Sequence, residues 1–390
     1  MNKKINILVV TGHSGIESGG VGTHLKILLD ELKNDQDIHL DVIFGKGKIG
    51  KGHVFLSRIV GKHISSGLVE VLEFFLNIYY MKKRIEDVIR NNPAGQYIIH
   101  AHDRNATIAA GLLKSQYKIK IVQTIHAPYY QQYLINANLP QDSLLKEFIY
   151  AFDKNTIKFV DEFIAVDNLQ RDLMLRDFSE KLDDKKITVI SNAVEKSMLK
   201  EIEKKYTEKY IVVARHLYKK NGVEFAIKAF NILKNKKFLK MYIIGSGDEK
   251  ENLRALVKKF RLENNIIFKG RLSRENTVEY INNALVSIVP SVPVGDYIEA
   301  TSLTMLETMA MKTPLIASNI GGIKQVLEGN NAAYLVEPSD YSSIASIIDK
   351  LYEYPKNSEK KIENAYDLVK SDYSSTVWFK KIKQCYLTIK

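Results

Sequence analysis

The chain has 390 residues, 45% of them hydrophobic, which is enough for two domains of ordinary size with sizeable cores. Its single cysteine, Cys385, excludes a disulfide framework and a cysteine-based metal site. Lys and Arg outnumber Asp and Glu by 57 to 45, a formal net charge of +12, and no run of ~18 uncharged apolar residues is present to cross a bilayer.

The opening MNKKINILVV enters a strand almost at once. It lacks the apolar length and small-residue cleavage site of a signal peptide, so a cytosolic protein is expected. Short β-rich runs follow at 5–10, 40–44, 97–99, 120–124, 163–166 and 187–190, separated by helical patterns such as 23–33 and 105–114. The second half repeats the scheme with runs at 210–214, 241–244, 266–268, 287–290, 315–317 and 333–336. Alternation of this kind predicts an α/β protein with two Rossmann-like parallel-sheet domains facing a central cleft, with ligands beyond the carboxyl ends of the strands. The expected domains are 1–193 and 194–373, and 374–390 reads as a final amphipathic helix.

The positive charge is uneven. Residues 42–69 carry no Asp or Glu but include Lys46, Lys48, Lys51, Arg58 and Lys62, with His53 and His63. An apolar and aromatic segment, 68–80, follows and ends in Lys82-Lys83-Arg84. Excess lysine alone can reflect nothing more than a soluble chain, but a basic patch beside aromatic side chains suits an anionic membrane surface at the inner face of the plasma membrane. Nucleic acid is the rival partner; no nucleic-acid module is recognisable, and none is expected to bind.

Chemistry-bearing residues cluster after the strands. Gly19-Gly20-Val21-Gly22 follows the first run, where glycines and a helix start let backbone amides approach a phosphate. A dinucleotide fingerprint would need G-x-G-x-x-G and an acid ending the second strand. The chain has G-G-x-G and ends that strand Phe44-Gly45-Lys46, which argues against NAD. His100-Ala101-His102-Asp103 follows the third run and His126 the fourth. Zinc is not expected there, because no third acidic or sulfur ligand shows metal-site spacing.

In the second half, Arg215 and Lys220 follow the run 210–214, and two cations aimed at a cleft can neutralise a diphosphate leaving group. Farther on, Glu299 and Glu307 stand with seven residues between them. Residues 303–310 read as a helix, with Thr301 or Ser302 as N-cap and Pro314 as its stop. Glu299 precedes this helix and Glu307 lies about one and a half turns inside it. Between them the helix start, at Ala300, Thr301, Ser302 and Leu303, offers backbone N–H groups that attract phosphate. An acid on each side of a phosphate-binding helix end suits a sugar on each side of a diphosphate, that is, a nucleotide sugar.

These segments resemble the signature of retaining GT-B glycosyltransferases, in particular glycosyltransferase family 4. The resemblance covers nearly the whole chain and is closest over 210–336. It implies that Glu299 binds hydroxyls of the transferred sugar, that Glu307 binds the ribose, and that Gly19, Gly20 and Gly22 face the donor phosphates and the acceptor. The segment Val213-Ala-Arg215-His-Leu-Tyr-Lys-Lys220-Asn-Gly is similar to the family's G-R-L-x-x-x-K-N-G, with Ala214 for the usual Gly and His216 for the usual Leu. His126 resembles the family histidine that contacts the donor sugar, and His102 with Asp103 the segment given a structural or acceptor-binding role. The resemblance also implies that Gly245 and the pair Arg271-Leu272 stand in loops that offer backbone groups to the nucleobase, with UDP as the family default. Gly321-Gly322 resembles the family G-G-x-x-E, with Gln325 where the acid is usual.

The resemblance further implies transfer of a hexose or N-acetylhexosamine, with retention, to a glycan, glycolipid or cell-surface polymer, as in bacterial polysaccharide biosynthesis. It also implies a last helix that packs back on the first domain. Asp35-Gln36-Asp37 matches a metal motif of another glycosyltransferase fold, but it lies at the wrong end of the sheet and reads as a solvated turn. No metal or other cofactor is then required, since Arg215, Lys220 and the helix end do a divalent cation's work. A sugar-nucleotide epimerase or phosphorylase on the same fold, and a non-catalytic partner of a transferase, are the alternatives.

Overall fold

The structure is a computed structural model and describes residues 4–13, 15–16, 19–45, 66–92, 95–126, 144–200, 209–295 and 297–390, without the side chains of 66–73, 144–149 and 185. The lysines of the basic run from Lys46 to Lys62 lie outside the described residues. The chain divides into two compact units. One comprises Met1–Val166, Gln170–Ile190 and Phe379–Lys390; the other comprises Asp167–Leu169 and Ser191–Trp378.

The first unit holds six strands: β1 (Ile5–Thr11), β2 (Ile38–Phe44), β3 (Tyr97–Ala101), β4 (Ile119–Ile125), β5 (Glu162–Ala165) and β6 (Ile187–Val189). They form one parallel sheet in the order β2-β1-β3-β4-β5-β6. Every residue of β1 and β3 is buried, because helices cover both faces of a parallel sheet, and the two strands are accordingly apolar apart from Asn6, Thr11 and His100. The strand order reverses between β1 and β3. The loops leaving their carboxyl ends therefore diverge and open a crevice, the place where such sheets bind ligands.

The helix Ser375–Ile389 contributes its later turns to this unit. Ile382 and Tyr386 are fully buried. The Lys383 ammonium donates to Asp35 at 2.7 Å and to Asp37 at 2.9 Å. The Asp35–Asp37 turn is thus not merely solvated; it anchors the last helix.

The second unit holds β7 (Tyr210–Ala214), β8 (Lys240–Ile244), β9 (Ile266–Gly270), β10 (Val286–Val289), β11 (Leu315–Ser318) and β12 (Tyr334–Val336). Its parallel order is β12-β11-β10-β7-β8-β9, with the reversal between β7 and β10. Separate apolar clusters pack its two faces: Met305, Leu306, Met309 and Ile323 on one, Ala226, Phe230, Leu253 and Ile348 on the other.

Two sequence expectations need correction. The helix predicted over 23–33 spans Gly19–Asn34, so Gly19, Gly20 and Gly22 form its first turn and not a free loop. Gly19 takes a φ of +75°, a conformation that glycine adopts without strain. His100, expected just after a strand, lies inside β3, which continues to Ala101 in register with Gln123 of β4. Among the described residues no helix is long and apolar enough to cross a membrane.

Candidate active site

In the second unit the reversal of strand order places the ends of β7 and β10 side by side, and the predicted cations emerge there. Arg215 immediately follows β7 and is buried. It donates from Nη1 to Ser302 Oγ at 2.9 Å, and from Nη2 to Asn221 Oδ1 at 2.5 Å and Ser291 Oγ at 3.2 Å. The same Nη2 lies 2.9 Å from Glu299 Oε1, and Lys220 Nζ donates to Glu299 Oε2 at 2.7 Å. Lys220 also sits over the Tyr297 ring, 4.7 Å from its centroid, a cation–π contact. Glu299, Arg215 and Lys220 are therefore one connected group, with two cations for one carboxylate. Burial pushes the Glu299 carboxyl up, but Arg215 and Lys220 outweigh this and hold it down to about 2.

Glycines make the grouping possible. Gly222 ends the Lys220 turn with a φ of +60°, and a Cβ there would lie 1.9 Å from the Pro290 carbonyl at the end of β10. Gly322 N–H donates to the Glu299 carbonyl at 3.0 Å, and a Cβ on Gly321 would stand 2.2 Å from that oxygen. The segment similar to G-G-x-x-E thus fixes the backbone of Glu299. Gln325, where the family acid is usual, accepts from Asn168 N–H at 2.8 Å.

Of the two N-cap candidates, Ser302 caps the helix Leu303–Ala310, accepting from Met305 N–H at 3.4 Å while receiving Arg215. Thr301 is buried and its carbonyl accepts from Asn192 at 2.9 Å. The start formed by Ala300, Thr301, Ser302 and Leu303 lies beside the cation pair, so the dipole and the side chains present the same sign of charge. Glu307 lies inside the helix and is buried. Its Oε1 accepts from Arg274 Nε at 3.0 Å, and Arg274 also pairs with Glu195. Burial raises the Glu307 carboxyl, with Arg274 opposing and Glu195 adding to the rise.

The loops assigned to the base flank this group. Gly245 N–H donates to Gly270 O at 2.8 Å, and a Cβ at Gly245, whose φ is +142°, would meet the Arg215 carbonyl at 1.9 Å. Arg271 is exposed, while Leu272 is half-buried against the core beside Tyr280.

In the first unit the crevice between β1 and β3 gathers the predicted polar residues. Asp103 caps the helix Arg104–Gly111 by accepting from Ala106 N–H at 3.0 Å. Its other oxygen accepts from Thr11 Oγ1 at 3.2 Å and from the Gly12 amide. Both oxygens thus have structural partners, which tie the end of β1 to the end of β3. His100 is fully buried; its Nδ1 lies 2.6 Å from the Tyr386 hydroxyl and its Nε2 2.7 Å from Thr124 Oγ1. His102 and His126 are linked, with Nδ1 of the first 3.2 Å from Nε2 of the second. Burial, with His24 and other imidazoles nearby, lowers both well below the ordinary histidine range, so both are neutral at pH 7.

Sequence reasoning missed several partners. Asn221 stands inside the quoted motif, and Ser291 directly follows the predicted fourth strand, so both had a local signal. Arg274 and His24 had none. Arg274 reaches Glu307 only because the helix Arg274–Asn282 packs beside Leu303–Ala310, and His24 projects from a helix toward strands far away in sequence.

Two six-stranded parallel sheets with flanking helices, each reversing its order where polar side chains collect, define the GT-B class of glycosyltransferases. The family model of glycosyl transferases group 1 matches residues 194–368, and that of glycosyltransferase family 4 matches 18–197; the chain belongs to the group 1 glycosyltransferases. An uncharacterised glycosyltransferase of Methanocaldococcus jannaschii is 28% identical over 160 residues, covering 40% of each chain. Another from Haemophilus influenzae is 26% identical over 231 residues, covering 57% of this chain and 63% of its own length. The chain thus spans less than two thirds of either relative. Among solved structures, Anabaena HepE in complex with UDP and glucose superposes with a TM-score of 0.71 at 14% identity, covering 98% of this chain and 100% of that one.

Proposed function

We propose that the protein is a retaining glycosyltransferase that moves a hexose or N-acetylhexosamine from a UDP-sugar to a glycan, glycolipid or cell-surface polymer. The observation that carries this reading is the buried group of Glu299, Arg215 and Lys220 at the start of the helix Leu303–Ala310. Two cations and a helix end offer excess positive charge to a diphosphate, while the carboxylate between them can accept hydrogen bonds from sugar hydroxyls. Glu307 takes the ribose, and the backbone around Gly245, Arg271 and Leu272 the base.

In the reaction the bond between the anomeric carbon and the β-phosphate oxygen breaks, and its electron pair leaves with the diphosphate. Arg215, Lys220 and the helix end stabilise the charge that builds there. The acceptor oxygen attacks the same face and forms the new glycosidic bond, and its proton passes to the departing phosphate oxygen. Neutral His126 and ionised Glu299 orient the sugar; Gly19, Gly20 and Gly22 approach the phosphates. His102 and Asp103 shape the acceptor side. No metal or other cofactor enters these steps.

UDP rests on the family default and on the ligands of Anabaena HepE. An anionic membrane surface is the proposed site of action, supported by Phe75 and Tyr79, which are exposed on the helix Ser66–Asn91 ahead of Lys82-Lys83-Arg84. The test is a screen of nucleotide sugars for nucleoside diphosphate release, with and without glycan acceptors. Release from one donor, lost in Glu299→Ala and Arg215→Ala, is expected. Isomerised donor without release points to an epimerase, and failure to bind any nucleotide overturns the reading.

A further inference from the structure

The chain has nine histidines, and His24, His100, His102 and His126 meet in the first unit. His100 is held by Tyr386 and Thr124. The other three are arranged differently. One ring nitrogen from each of His24, His102 and His126 lies within 4.8 Å of the other two. One pair, His102 Nδ1 and His126 Nε2, is 3.2 Å apart. Two nitrogens bound to tetrahedral zinc at ~2.0–2.1 Å stand ~3.3 Å from each other. That pair is therefore already at chelating separation, and His24 brings a third imidazole within reach.

We propose that His24, His102 and His126 form a binding site for a zinc-class divalent ion. Three imidazoles with no carboxylate among them select zinc, cobalt, nickel or copper over magnesium and calcium. The setting is a built one. His24 and His102 are buried at 2% and 4% exposure, so packing fixes their rings, while half-buried His126 leaves an approach for the ion and a fourth, water ligand. His102 Nε2 is buried with no hydrogen-bond partner among the described residues, so nothing in the fold holds the ring proton on Nδ1, the nitrogen that faces His126. The ligands leave the ends of adjacent strands β3 and β4 and one helix, rigid elements that keep the geometry without the ion. The expectation of no metal counted only acidic and sulfur third ligands; His24 supplies an imidazole instead.

The site stands independently of the transferase reading, but it has a consequence for that reading. An ion on His126 occupies the imidazole assigned to the donor sugar, so zinc acts as an inhibitor of transfer and not as its cofactor.

The test uses the full chain, stripped with chelator and carrying no histidine tag. Zinc is titrated against a chromophoric chelator, and Co²⁺ is added separately to read its ligand-field absorption. One equivalent per chain with an intense tetrahedral Co²⁺ spectrum is expected. His24→Gln and His126→Ala should each weaken zinc binding at least about 100-fold, whereas His39→Ala, at an exposed position, should leave it unchanged. Both ligand variants are checked for an unaltered thermal melt, and two sites in different elements guard against one misfolded variant. Binding that is undiminished in either ligand variant, or octahedral Co²⁺ only, overturns the proposal. If zinc binds through these ligands but donor turnover is unaffected, the site stands and the sugar contact of His126 is what fails.

Discussion

Arg274 donates from Nε to Glu307 across 3.0 Å, joining two helices whose partnership nothing in the local sequence announces. Its second nitrogen pairs with Glu195 and its third lies 3.4 Å from Met198 Sδ, so the guanidinium is fixed on three sides. Arg274 is thereby a positioning residue for the acid assigned to the ribose.

Arg274→Met should weaken UDP binding by about 10–100-fold, the worth of a charge-assisted hydrogen bond to a buried group. Arg274 opposes the upward push of burial on Glu307. Removing it raises that carboxyl further, so UDP affinity should begin to fall at a higher pH than in the wild type as pH is lowered. Calorimetric titration with UDP across mildly acidic to neutral pH measures both effects, and Arg274→Lys should restore part of each. Unchanged affinity at every pH would remove Arg274 and Glu307 from the ribose.

Glu299→Gln should separate binding from turnover. Loss of the sugar-accepting carboxylate should cost ~2–3 kcal/mol of transition-state stabilisation, about a 30–150-fold fall in rate. The same change frees both cations from their internal counter-charge, so UDP without its sugar should bind at least as tightly as before. Parallel measurement of UDP affinity and donor turnover checks the split; equal losses in both contradict the assignment.

Glu299 also ties stability to pH. Its folded value of about 2 lies below the ordinary 4.5, so its contribution, about 3 kcal/mol, is fully present above pH 4.5. It is lost as pH falls from 4.5 toward 2. Denaturant unfolding through that window should show a smaller acid loss in Glu299→Gln than in the wild type.

In the first unit, Asp153→Ala should destabilise by about 3–5 kcal/mol, because it breaks the buried ion pair of Asp153 with Arg104. Tyr386→Phe should cost about 1–3 kcal/mol by stranding His100 Nδ1. Chemical denaturation of the full chain measures both, and a near-neutral Tyr386→Phe would show that His100 finds another partner.

Vesicle co-sedimentation tests the membrane reading. Binding to anionic vesicles should fall as salt rises and should weaken in Phe75→Ser with Tyr79→Ser. Equal binding to neutral vesicles would count against an electrostatic contact.

Much of the fold was legible because central parallel strands are mostly apolar: β1, β7 and β10, whose polar residues are only Asn6, Thr11 and Ser287, announce themselves without tertiary context. The errors came where chemistry masks the pattern. His100 is polar, so the reading stopped β3 short of it, although Tyr386 and Thr124 satisfy both ring nitrogens inside the sheet. The glycines at 19, 20 and 22 suggested a loop, yet they begin a helix. At the candidate site, Arg215, Lys220 and Glu299 were each visible, but their mutual pairing was not. Neither Arg274 nor His24 could be found by spacing, since only packing brings them to their partners.

The pairing of two cations with a single carboxylate at the start of Leu303–Ala310 has a practical side. A pocket left one charge short of neutral is an indiscriminate host for small polyanions. Phosphate, citrate and sulfate buffers should therefore behave as competitors of the natural donor, and assays run in them will understate how well this chain works.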